Sequence, residues 1–564
     1  MDKIWLQHYP KGVPHVIDAR AYPSLCDLFL QSCVRFRDRP AFSSMGTTMS
    51  YADLEARTRE FAAYLQQELH LAPGDRVALM MPNVLQYPVA LFGALRAGLV
   101  VVNCNPLYTP RELEYQLNDS GSKAIVVLEN FAKTVEAVVG RTPLQTVITT
   151  EIGDLFPPMK ALLTNLVVKY AKKMVPEWHI EGAVGFRTAL DRGRKHDLRP
   201  VPLGPDDVAF LQYTGGTTGV PKGAMLTHGN LIANLQQVSA WMGSDFVEGG
   251  EVVVTPLPLY HIFALTVNLL TFVKWGGHNV LIANPRDLPH LVKELKDVPF
   301  SVISGVNTLF NALLNAPGFA AVDTTALKIA IGGGMPVQRA VAEKWQALTR
   351  KPLIEGYGLT ETSPIVTANP VAGVGYTGSI GLPLPSTEVS IRDDAGAEMA
   401  IGETGELCVR GPQVMKGYWQ RPEETAKAIT ADGWLRTGDM GYMDERGYVK
   451  LTDRKKDMII VSGFKVFPSE IEEVVMSHPG VLEAACIGIA DEHTGQAVKV
   501  VAFRKDTALT EEALVAYCHE RLTPYKVPKF VQWASEPLPK SPVGKILRRV
   551  VREASERETA AASV

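Results

Sequence analysis

Short valine-rich runs recur along the chain, among them RVALMM (76–81), KAIVVLE (123–129) and EVVVTPL (251–257). Each has the length of one strand and is apolar at successive positions, which predicts strands buried on both faces. Stretches with helical spacing stand between them, such as LEARTREFAAYLQQELH (54–70). The alternation predicts an α/β fold with largely parallel strands. Between Gly375 and Gly447 the texture changes to short strand-like pieces, EVSIRD and GELCVRG, cut by glycine and proline turns. A smaller β-rich subdomain is expected there.

A further unit begins after the charged DRKKD (453–457), with IIVSG and SEIEEVVM. Ser469 stands three residues before Glu472, the spacing of a capping box, and Ile471, Val474 and Val475 set an apolar helical face. AACIGIA adds a strand before a basic tail segment. The predicted organisation is a large N-terminal domain over 1–455, built of stacked α/β subdomains plus the β-rich one, and a small α+β C-terminal domain over 456–564. No internal repeat or low-complexity tract interrupts it.

FPPMKALLTNLVVKYAKKMVPEW (156–178) carries Lys160, Lys169, Lys172 and Lys173 with no acid between Phe156 and Val175. A basic, apolar helix can rest on an anionic membrane surface, here the inner face. Leucines and valines on one helical face more often meet a core, so an ordinary surface helix is the expectation.

Composition narrows the picture. A length of 564 residues favours two or more domains. A formal net charge of -3 gives no reason to expect a nucleic-acid partner. Six scattered cysteines lack any metal-ligand spacing and suit a reducing compartment as free thiols. The N-terminus lacks a secretory pattern and no run reaches about 18 apolar residues without a charge, so a cytoplasmic location is expected.

The chemistry begins at QYTGGTTGVPKGAM (212–225). Tested against GxxxxGK[ST], the stretch fails: five on from Gly216 stands Pro221, Gly223 follows Lys222, and the residues after it read as a strand. What remains is a glycine-rich turn between VAFLQYT and GAMLTH. Its glycines allow close backbone approach to a polyanion, Thr214, Thr217 and Thr218 offer hydroxyls, and Lys222 offers charge.

The run Tyr213, Thr214, Gly215, Gly216, Thr217, Thr218, Gly219, then Lys222 and Gly223, resembles the phosphate-binding core of the adenylate-forming enzymes: acyl-CoA synthetases, luciferases and peptide-synthetase adenylation domains. Many members carry a serine where Gly215 and Gly216 stand, and the glycine pair resembles the fatty-acid branch. Further blocks follow in family order. IGGGMP (331–336), with Gly333 and Gly334, is similar to the turn bordering adenosine. In GYGLTET (356–362) the resemblance gives Tyr357 and Gly358 to the adenine side, Thr360 to phosphate and Glu361 to Mg²⁺. In DGWLRTGDMGYMDERGYVKLTDRKKD (432–457) it implies Asp439 at the ribose hydroxyls, Arg454 beside it and Lys456 as the hinge that makes the C-terminal domain mobile. LPKSPVGKILRR (538–549), preceded by LTPYKVPKF (522–530), is similar to the segment that carries the adenylation lysine, here Lys545.

This resemblance spans residues from about 50 to 549 and implies an AMP-forming acid–thiol ligase. A medium- or long-chain fatty acid attacks ATP to give acyl-AMP and pyrophosphate, and CoA then displaces AMP. Catalysis would rest on positioning and charge, with Lys545, Glu361 and Thr360 central. LPLYHIFALTVNLLTFVKWG (257–276) suits an alkyl tunnel and equally plain core, with Tyr260 and His261 at the family's acyl position. VSGFKVFP (461–468) offers Gly463 and Lys465 to CoA, or is a simple strand turn. An aryl-CoA ligase, a fatty acyl-AMP ligase, a stand-alone adenylation domain, a luciferase-like oxygenase and a nucleotide-sensing binding module stay open as alternatives. So does a homodimer.

Overall fold

The computed structural model describes residues 3–214, 220–243, 245–373, 375–491, 493–541 and 544–562. The valine runs form Arg76–Met80, Ser122–Leu128 and Val252–Thr255, almost wholly buried. The first two pair in parallel in an eight-stranded sheet. That sheet runs from Val184–Gly185 at one edge through Val100–Asn103 to Val208–Thr214, Lys222–Thr227 and, at the other edge, Gly417–Tyr418. Val252–Thr255 belongs to a nine-stranded sheet in which Val302–Gly305, Ile329–Gly332 and Leu353–Gly358 follow in parallel.

Helices fill the space between the sheets because their apolar faces need cover on both sides. Helix His228–Met242 gives Leu231, Ile232 and Leu235 to one apolar cluster and Val238, Trp241 and Met242 to the other. Helix Tyr51–Gln67, expected over 54–70, opens with a Ser50–Asp53 capping box.

The β-rich region is a four-stranded antiparallel sheet of Glu388–Arg392, Gly405–Arg410, Leu435–Met443 and Val449–Arg454. After Arg454 come a five-stranded sheet, helices Pro468–Met476 and Glu511–His519, and the helix Arg548–Ala562. Ile459, Ile471, Val475, Cys486 and Val500 give this small α+β unit its own core.

Two expectations fail. The Ser469–Glu472 capping box does not form. Pro468 takes the first helical position, where its fixed φ suits it, so the helix starts two residues early with Phe467 as cap. Ser469 then lies inside the first turn, where its amide donates to Asp453 (2.6 Å) and its hydroxyl accepts from Arg548 (2.7 Å).

The second concerns 156–178. Helix Pro158–Leu166 and the π-turn Val167–Ala171 do not turn their leucines inward. Met159, Leu162, Leu163 and Tyr170 are 81%, 58%, 65% and 66% exposed, and within the helix only Ala161 is buried. Polar contacts seat the helix instead: Lys160 donates to the Met45 carbonyl (2.5 Å), and Asn165 accepts from the Gly153 amide (2.8 Å) while donating to Glu151 (2.8 Å). The inward side is satisfied by those bonds, and the apolar stripe faces solvent. Among the described residues no helix is long and apolar enough to cross a membrane. All six cysteines are free, five of them buried.

Candidate active site

Val208–Thr214 and Lys222–Thr227 form an antiparallel hairpin with Tyr213 opposite Gly223 and Thr214 opposite Lys222. A Cβ at Gly223 would stand 3.1 Å from the Tyr213 ring, so glycine lets that ring lie flat across the partner strand. The ring points into the core and its hydroxyl donates to Asp119 (2.7 Å), which Arg421 also binds (2.5 Å). Tyr213 therefore anchors the hairpin through its side chain. Thr214 bonds across the hairpin to the Lys222 carbonyl (3.5 Å). Gly215, Gly216, Thr217, Thr218 and Gly219 lie outside the described residues.

Lys222 is paired with Glu424 and sits 5.2 Å from the Tyr418 ring. Hydrogen bonds from Lys222 first, and from Lys427 next, hold the Glu424 carboxyl down at about 2. Tyr418 donates its hydroxyl to Glu361 (2.7 Å), whose carbonyl accepts from Met415 (2.8 Å). Glu361 and the half-buried Thr360 occupy the single 3-10 turn Thr360–Thr362. Gly358 makes that turn fit: a Cβ there would lie 2.0 Å from the Pro364 carbonyl oxygen.

A second cluster stands beside the first. Tyr357, at the end of Leu353–Gly358, donates to Asp439 (2.5 Å), and Arg454 pairs with the other carboxylate oxygen (2.6 Å). Asp439 and Arg454 are register partners on adjacent antiparallel strands, which fixes the pair. Burial raises the Tyr357 hydroxyl well above its ordinary range, with the Asp439 charge adding to it. Each Asp439 oxygen keeps a lone pair for a further donor. Gly333 packs against Phe263, 2.9 Å from a built Cβ, and Gly334 has φ +75°, so this turn closes the space next to Tyr357.

Lys545 arrives from the small unit. Its loop docks where a Gly544 Cβ would stand 2.9 Å from the Thr308 hydroxyl. Lys545 keeps exposed surface, yet protein crowds its ammonium and pushes the pKa down to about 8. Desolvation is the largest cause and Arg454 the next, with Asp439 opposing both. Lys456 sits exposed in the turn after Arg454.

Tyr260 and His261 border the hairpin strand, for Gln212 donates to the Tyr260 carbonyl (2.7 Å). Burial drives His261 down to about 4, and its Nδ1 accepts from the Phe263 amide (3.3 Å), which favours the neutral imidazole. Most of 257–276 is core, but Val267 reaches an apolar cavity of about 50 Å³ behind Gly356, together with Val238, Trp241, Ile331 and Ile354. Gly463 and Lys465 are not brought into the Lys545 cluster. They occupy the Ile459–Val461/Phe464–Val466 hairpin, with Lys465 close enough to Asp394 to stabilise its charge.

Four residues escaped the sequence reading: Gln212, Tyr418, Glu424 and Glu355. Glu355 lies two residues before Tyr357 on the same strand face, accepts from the Val337 amide (3.2 Å), and is pushed up to about 8 by burial. The carboxylate in EGYG was a signal that could have found it. No spacing announces Tyr418 or Glu424, which meet Glu361 and Lys222 only through tertiary contact.

Residues 29–419 match the AMP-binding enzyme family and residues 470–545 the AMP-binding enzyme C-terminal domain. The chain is 58% identical to a long-chain-fatty-acid-CoA ligase of Escherichia coli O157:H7 and 57% identical to one of Salmonella typhimurium, over 98% of each chain. Among solved structures it is similar to ATP-bound MatB from Rhodopseudomonas palustris, at a TM-score of 0.80 and 30% identity, covering 94% of this chain and 98% of that one.

Proposed function

The chain belongs to the AMP-binding enzyme family, and from that premise we propose that it is a long-chain fatty-acid-CoA ligase, making acyl-AMP and pyrophosphate from ATP and a fatty acid and then acyl-CoA and AMP. The similarity to ligases of that name over nearly the full length supports the reading. The observation that carries it is the convergence of Lys545, the Tyr357–Asp439–Arg454 cluster and the Glu361–Tyr418–Lys222 chain on one cleft between the two domains.

A carboxylate is a poor electrophile toward a thiol, since its oxygen does not leave. Activation through the α-phosphorus brings two anions together, so the residues must supply positive charge and alignment. Lys545 is assigned to the attacking carboxylate and α-phosphate, Asp439 and Arg454 to the ribose, and Tyr357 with the Gly333–Gly334 turn to adenine. Thr214 and Thr360 with Lys222 are assigned to the phosphates. Glu361 is the candidate Mg²⁺ residue. A single carboxylate fits, because Mg²⁺ keeps waters and takes its remaining oxygens from substrate phosphates. Bound there, the ion would neutralise phosphate charge.

Residues 456–564 form the hinged domain on this reading, with Lys456 as the turning point between the half-reactions. Tyr260 and His261 line the acyl entrance. The cavity at Trp241 and Val267 is the space an alkyl tail would enlarge. Gly463 and Lys465 are the CoA-facing candidates.

Peripheral contact of a cytoplasmic enzyme with an anionic bilayer belongs to the same proposal. It is supported by the exposed Met159, Leu162, Leu163 and Tyr170 beside Lys172 and Lys173. Co-sedimentation with anionic but not zwitterionic vesicles, lost in a Leu163→Glu/Tyr170→Glu variant, is the expected result. Self-association through the stripe, seen by analytical ultracentrifugation without vesicle binding, would replace it with a homodimer.

The activity is tested by acid-dependent ATP–pyrophosphate exchange with acetate, octanoate, palmitate and 4-coumarate, followed by thioester formation with CoA. Palmitate should lead in both. Preference for 4-coumarate, exchange without thioester, or ATP binding with no exchange would each overturn the assignment.

A further inference from the structure

Lys456 separates two neighbours that are tied to different domains. Lys455 pairs with Asp394 (2.6 Å) and Glu406 (3.1 Å) of the β-rich sheet. Asp457 faces Arg548 (3.7 Å) and Arg552 (3.8 Å) of the terminal helix. Asp453 crosses that division. Its strand, Val449–Arg454, belongs to the β-rich sheet, yet its carboxylate, 2% exposed, is held from the other side of Lys456. The Ser469 amide donates to one oxygen (2.6 Å) and the Arg548 guanidinium to the other (2.6 Å).

Arg548 stands three residues after Lys545, at the start of Arg548–Ala562. Its remaining N–H groups bind Glu472 (2.7 and 2.5 Å) and Ser469 (2.7 Å). A planar fork with five donors can grip Glu472 through two parallel bonds while also binding Asp453, a geometry that a lysine's single ammonium does not reproduce.

We infer that Asp453 and Arg548 form a clasp across the Lys456 turn that holds Lys545 opposite Asp439 and Arg454, and that this clasp opens when the C-terminal domain turns to admit CoA. The inference rests on the two-state reading of Lys545 and Lys456 given above. A rotation about Lys456 leaves the Lys455 pairs and the Asp457 pairs intact, since each stays on one side. The two bonds of Asp453 break. Arg548 retains Glu472 and Asp457 after opening, so its charge is never left alone in the interior. Asp453, uncovered, gains water. That asymmetry lets a buried ion pair work reversibly, where full burial of an unpaired charge would forbid it. Gln338 with Met476 (3.3 Å) and Gly544 with Thr308 also cross the division without charge, and the attraction of Lys465 for Asp394 crosses it at an exposed site, so these contacts add little resistance. Asp453 and Arg548 are thus positioning residues for the first half-reaction and touch no substrate.

The test compares the half-reactions in the full-length Asp453→Asn variant: palmitate-dependent pyrophosphate exchange, and thioester formation from supplied palmitoyl-AMP and CoA. Exchange should fall by about tenfold or more, while the thioester step stays within about twofold of the parent. A purely structural role would lower both together, and that result, or two unchanged rates, would overturn the clasp. Thermal melting checks that the variant is folded. Should it not fold, Arg548→Lys, which keeps charge but loses the bidentate fork on Glu472 and its reach to Asp453, must show the same split. Lys545→Ala runs alongside. If it too lacks a split, the two-state reading fails and takes the clasp with it. A split in Lys545→Ala without one in Asp453→Asn rejects the clasp alone.

Discussion

Removing Lys545 should cost the first half-reaction far more than the second, and the charges around it set the size. In the cleft, Arg454 is neutralised by Asp439 (2.6 Å) and Lys222 by Glu424, so among the described residues Lys545 supplies the uncompensated positive charge. One cation against one phosphate or carboxylate oxygen at about 4 Å, with an effective dielectric near 20, is worth about 4 kcal/mol. If that attraction is realised fully in the transition state, Lys545→Ala lowers adenylation roughly a thousandfold. Lys545→Ala is assayed by single-turnover formation of palmitoyl-AMP from ATP and palmitate, and separately by CoA attack on supplied palmitoyl-AMP. Loss concentrated in the first assay is expected. Equal losses in the two assays, or a loss under about tenfold in the first, would show that Lys545 is not the neutralising charge.

The same lysine predicts an alkaline limb. Its pKa is lowered to about 8, and the charged form is the active one, so kcat/KM for adenylation should fall by about tenfold per unit as pH rises above that value. Lys545→Arg should abolish the limb, and a parent profile flat to about pH 10 would refute it. Glu424→Gln frees Lys222 from its counter-ion, so the KM for ATP should drop by a few fold with at most a modest loss of stability, the pair being half-buried; a higher KM would contradict that competition. Gly358→Ala drives a methyl to within 2.0 Å of the Pro364 carbonyl and should destabilise the chain by about 1–3 kcal/mol while displacing Tyr357; an unchanged Tm with full activity would refute the fit.

Local pattern carried the strands and the hairpin. Valine runs and glycine turns act over a few residues, and Val208–Thr214 with Lys222–Thr227 follows directly from them. Sheet order was not legible, because Val208–Thr214 takes its other partner from Val100–Asn103 and the sheet edge is closed by Gly417–Tyr418, about two hundred residues on. The 156–178 helix shows the same limit from the other side. Its periodicity was plain, but whether an apolar stripe meets a core depends on what stands opposite, and Lys160 and Asn165 take the inward contacts.

The site divides along the same line. Blocks around Tyr357, Asp439 and Lys545 were readable by resemblance, yet the balance of charge among them was not. A lysine after a glycine in a basic tail is by itself a solvated cation. It becomes the surplus charge of the cleft only because Glu424 lies against Lys222 and Asp439 against Arg454, pairings set by sheet edges and strand register. Asp453 makes the point most sharply. In DRKKD it reads as one more acid in a charge run, and the neighbouring Arg454 draws the attention. Folding turns its carboxylate inward to Ser469 and Arg548, so two adjacent residues of one strand take different partners: Arg454 pairs with Asp439, and Asp453 with the unit that carries Lys545.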